Sequence, residues 1–132
     1  MSFKAEFKTS GKTYDVLECN YGFERDVDSK GKPQSIIKGG TVELKVEMAG
    51  SDTTLLETMV NDPFKPHNGE VTFYQSDSNQ VAKTLKYSNG YIISYKEDFS
   101  NSSGDAQAIA FTVSAEKIDI GNAKHTNEWP KK

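Results

Sequence analysis

Tyr14–Glu47, YDVLECNYGFERDVDSKGKPQSIIKGGTVELKVE, places two strand-like patterns on either side of a long polar loop. Thr41 to Met48 alternates strictly. Val42, Leu44, Val46 and Met48 fall on one face and Thr41, Glu43, Lys45 and Glu47 on the other, the period of two that marks a half-buried strand. In the loop before it, Asp28 to Gln34 shows no period. A polar excursion between strands must satisfy its backbone groups with water or with another molecule, which makes it either mobile or a contact element. The pattern is read here as a contact element, and it points to assembly before catalysis.

Outward from that stretch the chain continues to read as β. Phe3, Ala5 and Phe7 alternate with Lys4, Glu6 and Lys8, Ser10-Gly11 offers a turn, and Tyr14, Val16 and Leu17 open a second strand. Beyond Thr41 to Met48, Gly50-Ser51-Asp52 closes the strand, and Leu55, Leu56, Met59 and Val60 recur at helical spacing. The helix is expected over Asp52 to Asn61, with Asp52 capping its first turn, Thr54 and Glu57 at capping-box spacing, and Pro63 stopping it. Glu70 to Gln75 and Lys83 to Ser88 read as short strands. Asn89-Gly90 is the strongest hairpin turn in the sequence, with Tyr91 to Phe99 as the returning strand. Asn101 to Asp105 is a turn cluster before a long strand, Ala106 to Ile118, and the polar tail from Asp119 carries Trp129-Pro130 with which to dock. About seven or eight strands and one short helix make a mainly β chain, a compact barrel or sandwich, with no internal repeat or linker across residues 1–132.

Bulk properties narrow the function classes. A chain of 132 residues fits one domain that buries roughly 65–70% of its unfolded surface. A net charge of -3 without a basic run longer than Lys131-Lys132 argues against a nucleic-acid footprint. The mean hydropathy of -0.67 belongs to a well-solvated exterior. No stretch approaches the ~18 apolar residues of a membrane span, and MSFKAEFK lacks the apolar centre of a signal peptide. Cys19 is the single cysteine, which excludes an internal disulfide and fits a buried small hydrophobe. Folding in the cytoplasm is the expectation.

Chemistry-bearing motifs fail on inspection. Gly11-Lys12-Thr13 imitates the end of a phosphate-binding loop, but Glu6 stands where that loop needs glycine. Asp26-Val27-Asp28-Ser29-Lys30-Gly31 imitates an EF-hand opening, but Lys30 and Ile37 occupy two ligand positions. His67 and His125 lie far apart in loop-like segments, outside any metal-ligand spacing. There is no GxSxG elbow and no CxxC pair, and Asn101-Ser102-Ser103 is a sequon without a secretory signal. No catalytic, cofactor or metal residue is assigned. One non-catalytic feature stands out on the long final strand. Ala106, Ala108, Ala110, Thr112 and Ser114 form a row of small side chains opposite Ile109, Phe111, Val113 and Ala115. The larger row reads as core; the small row is either a solvent face or a surface kept smooth for close approach.

SFKAEF, YDVLEC, FERDVDSKGKP, GGTVEL, DTTLLETMVND followed by FKP, GYIISY and GNAKHTNEWP, in this order, together resemble the tube protein of the type VI secretion system, the TssD or haemolysin-coregulated protein family, in a divergent short branch. The resemblance spans nearly the whole chain. It implies a small β-barrel flanked by one short α-helix, hexameric rings stacked into a tube, and no catalytic residues. It further implies a contractile sheath, a spike and effectors as partners, neither nucleic acid nor membrane, and export through the injection apparatus without a signal peptide. The family's extended loop corresponds to Asp26 to Ile37, making Asp26, Asp28, Lys30, Gly31, Lys32 and Pro33 the expected ring-stacking residues. The small row, Ala106 to Ser114, is the expected lumen face. The competing readings are a monomeric barrel that binds a small hydrophobic or carbohydrate ligand at its mouth and, more weakly, a small hydrolase with a dispersed site.

Overall fold

The computed structural model describes residues 4–47, 52–75, 80–98, 108–127 and 129. The expectations placed on Phe3, Met48, Gly50-Ser51, Phe99, Asn101 to Asp105, Ala106 and Pro130 lie outside the described residues. Seven strands are described: β1 (Lys4–Thr9), β2 (Lys12–Tyr21), β3 (Thr41–Glu47), β4 (His67–Tyr74), β5 (Val81–Asp98), β6 (Ala108–Ile120) and β7 (Ala123–Thr126), with helix α1 (Thr54–Val60) between β3 and β4. The sheet runs β3-β2-β1-β4-β5-β6-β7, and a further β3–β6 pairing closes its first six strands into a barrel. Every pairing is antiparallel. β7 continues outside the closure, paired to Lys117–Ile120 of β6.

Alternation decides which side chains fill the barrel. Ala5 and Phe7 of β1, Val42, Leu44 and Val46 of β3, and Ile109, Phe111, Val113 and Ala115 of β6 are all buried, as the period of two requires. Phe7 is central, with its ring centroid 5.5 Å from Phe111, 6.2 Å from Tyr14 and 6.3 Å from Tyr87. Aromatic contacts at these separations make a packed interior. α1 covers the core through Leu55, and Met59 packs against its edge. Asp52 Oδ1 accepts the Thr54 N–H at 2.9 Å, as expected of it, but the Thr54–Glu57 capping box does not form: Thr53 is the N-cap, makes no side-chain cap bond, and its hydroxyl instead donates to the Glu57 carboxylate.

Two local expectations are corrected. Asn89-Gly90 is not a turn: β5 runs through it without interruption, with Gly90 opposite His67 on one side and Ala115 on the other. Asn89 does adopt a positive φ of 54°, but in a bulge where the β4–β5 register shifts between His67 and Gly69. Its N–H donates to Asn68 Oδ1 at 3.0 Å and its amide to Glu116 Oε1 at 2.9 Å. Among the described residues, tight turns between neighbouring strands stand at Ser10-Gly11, at φ 53° and 77° between β1 and β2, and at Gly121-Asn122, with Gly121 at φ 58°, which turns the tail back as β7. His67 and His125, expected in loops, lie on β4 and β7 and are half-buried.

Candidate assembly surface

Residues 22–40 leave the barrel between β2 and β3 as an arm that satisfies much of its own backbone. Glu24 and Lys38 exchange both backbone hydrogen bonds, at 2.9 and 2.6 Å. Gln34 N donates to Asp26 O at 2.9 Å, and Asp28 N to Lys32 O at 2.8 Å. At the tip Gly31, at φ 83°, donates to Asp28 O, while Asp28 Oδ1 accepts the N–H groups of Lys30 and Lys32 at 2.9 Å each. The side-chain carboxylate thus holds the turn as an Asx motif. The sequence offered only water or a partner for these groups. A narrow internal ladder supplies a third answer.

This ladder reassigns the charges. Asp26 Oδ2 pairs with Lys38 Nζ at 3.0 Å within the arm, and Asp28 is engaged by the tip, so neither carboxylate is idle. Pro33 bridges to Val27 across the ladder. Lys30 and Lys32 are exposed at the tip. The arm also exposes apolar groups that reading by charge passed over: Ile36 is 79% exposed, and Val27, Phe23 and Ile37 are each exposed by more than two fifths. Their signal was present as Ile36-Ile37 within an otherwise polar loop. Large apolar side chains on an ordered projection are what a contact element needs.

The small row is only partly continuous. Ala110, Thr112 and Ser114 alternate outward between buried neighbours on β6 and are half-exposed, whereas Ala108 is 6% exposed and Ala106 lies outside the described residues. Ala110 stands opposite Lys45 of β3 and Lys96 of β5, and Thr112 opposite Glu43 and Ser94. The small side chains leave a shallow depression of about 250 Å³ whose rim includes Glu18, Glu43, Lys45 and Lys96. Glu18 and Lys45 approach only to 3.9 Å, an exposed pair that contributes little.

Titratable groups inside the barrel serve packing. Burial pushes the Cys19 thiol up to about 11, which makes it a poor nucleophile. Burial likewise lowers His67 below its ordinary value; its Nε2 lies 2.8 Å from the Tyr87 hydroxyl, and its buried Nδ1 meets no hydrogen-bond partner. Tyr87 fills the space left by two glycines: a Cβ at Gly69 would come within 2.5 Å of its ring, and one at Gly90 within 2.7 Å. Among the described residues no group of three or more His, Cys, Asp or Glu side chains is placed to hold a metal ion. No helix among them is long and apolar enough to cross a membrane.

Comparison with solved structures places this architecture. Hcp1 from Flavobacterium johnsoniae superposes with a TM-score of 0.87 at 34% identity, covering 95% of this chain and 100% of that one. Hcp1 from Salmonella typhimurium has the same fold at 8% identity, with a TM-score of 0.72 over 96% of this chain and 93% of that one. A chain of the sixfold-symmetrised anti-feeding prophage baseplate shares the fold more distantly, with a TM-score of 0.51 and 12% identity over 89% of this chain and 91% of that one. Among curated proteins none matches. The closed six-stranded barrel with its extra strand and short helix is therefore an Hcp-type barrel. Residues 1–130 match the family model for haemolysin-coregulated protein Hcp (TssD), and the chain belongs to that family, the structural tube proteins of type VI secretion.

Proposed function

We propose that residues 1–132 form one tube-subunit domain that closes into hexameric rings, that these rings stack into the inner tube of a type VI apparatus, and that the tube carries effectors out of the cell. The observation that carries this reading is the 34% identity to an Hcp1 chain along its whole length. Cytoplasmic synthesis, enclosure by a contractile sheath and contact with a spike follow from the same role. The arm, residues 22–40, joins one ring to the next through Val27, Ile36, Lys30 and Lys32, with Asp26, Asp28, Gly31 and Pro33 holding its shape. Ala110, Thr112 and Ser114 face the lumen, where small side chains keep the bore wide and the flanking lysines and glutamates offer charges of both signs to cargo.

The ligand-binding alternative requires an open interior. Phe7, Tyr14, Tyr87 and Phe111 occupy that space, which favours the structural role. Light scattering after size-exclusion chromatography tests the ring. Six copies of a 14.6 kDa chain closing head to tail give about 88 kDa. A stable 14.6 kDa species at micromolar concentration would return the ligand-binding reading to first place.

A further inference from the structure

The arm's internal ladder sets its shape but not its angle to the barrel. It leaves through Gly22-Phe23 and returns through Gly39-Gly40. Both legs meet the end of β7. Asn127 continues the β6–β7 ladder by donating its N–H to Glu116 O at 2.7 Å, and its side chain then turns toward the arm. Nδ2 donates to Gly39 O and to Ala115 O, each at 3.1 Å, and Oδ1 faces His125 Nε2 at 3.0 Å. A carboxamide has two N–H donors and one oxygen. All three are engaged, and they tie together the returning leg, β6 and β7.

The glycines make this approach possible. Gly40 has φ 95°, and a Cβ there would lie 2.3 Å from Asn127 Nδ2 and 2.8 Å from Ala115 O. Its carbonyl accepts the Ala115 N–H at 2.7 Å. A Cβ on Gly39 would come within 2.3 Å of the Phe23 ring, so the outgoing leg lies directly over the returning one. Phe23 in turn meets the His125 ring edge-on at 5.3 Å. Ile37, Ala123 and Lys124 complete an apolar cleft of about 200 Å³ around this junction.

We propose that Asn127, oriented by His125, is the positioning residue that fixes the angle of the arm on the barrel. Its effect on stacking rests on the arm being the ring-to-ring contact; its effect on the arm does not. Asn127 is half-buried and does not belong to the hydrophobic core, so Asn127→Asp should remove both N–H donors and oppose two carbonyl oxygens with a carboxylate without emptying the core. Gly40→Ala attacks the same junction from the other side.

Hydrogen exchange followed by mass spectrometry on the full-length protein separates the outcomes. Amides of residues 22–40 should exchange at least about tenfold faster in both variants, with β1, β4 and β5 protected as in the unsubstituted protein. Ring mass should hold while tubes shorten or vanish in electron micrographs. Unchanged arm exchange in both variants would overturn the proposal, and so would equal loosening of the barrel strands. A loosened arm with tubes intact would uphold the positioning role and overturn the stacking role of the arm.

Discussion

Replacing Ile36 by Asp separates assembly from folding. Ile36 is 79% exposed, so the folded chain gains little from it, and a surface change of this kind shifts stability by roughly 0.5 kcal/mol or less. If the arm docks on the next ring, most of that side chain leaves water there, which stabilises each contact by roughly 1.5–3 kcal/mol. A carboxylate in its place loses that term and adds a desolvation cost. Six equivalent arms per junction multiply the loss to roughly 9–18 kcal/mol, enough to abolish stacking at micromolar protein. The assay has three parts on one sample: thermal unfolding, ring mass and tube length by electron microscopy. Stability and ring mass should match the unsubstituted protein, with isolated rings in place of tubes. Tubes of normal length would refute the apolar docking of the arm, and loss of the ring itself would move Ile36 to the contact that closes it.

Other expectations concern the barrel. Gly69→Ala should lower stability by roughly 1–3 kcal/mol, because Tyr87 cannot move aside easily while its hydroxyl meets His67. For a chain of this length that is a fall in Tm of roughly 4–11 °C at equal protein concentration; Gly22→Ala, with nothing within 4 Å of the added carbon, is the neutral control. His67 is held below its ordinary 6.5, so the folded state disfavours its protonation. The stability it contributes is complete above about pH 6.5 and declines as pH falls from there toward the lowered folded value. Denaturant titrations of His67→Gln should therefore show a shallower decline than the unsubstituted protein across that window; parallel curves would exclude His67 as its source. Ala110→Cys labelled with a bulky maleimide should block cargo loading and leave ring mass unchanged, and failure of the intact ring to react would remove β6 from the lumen.

Sequence periodicity revealed what local forces determine. Thr41 to Glu47 alternates because one face of β3 enters the core, and Leu55 with Met59 marks the buried side of α1. Asn89-Gly90 misled because a positive φ serves a bulge as readily as a hairpin; pairing on both sides of β5 decided between them, and that pairing is non-local. The arm's ladder was hidden for a similar reason, since Asp28 caps a turn only once Lys32 returns to meet it. β7 was missed because a four-residue strand of one alanine and three polar residues carries no period, and its place depends on Gly121. Ala108 shared the alternation of the small row but is buried, whereas Ala110 is only half-buried, a difference that the period of two does not carry.

Closure of this barrel into sixfold rings is tested most directly by negative-stain class averages of the purified full-length protein. Closed rings with sixfold symmetry and an open bore are the predicted result. Single compact particles, or open chains of subunits that never close, would contradict it.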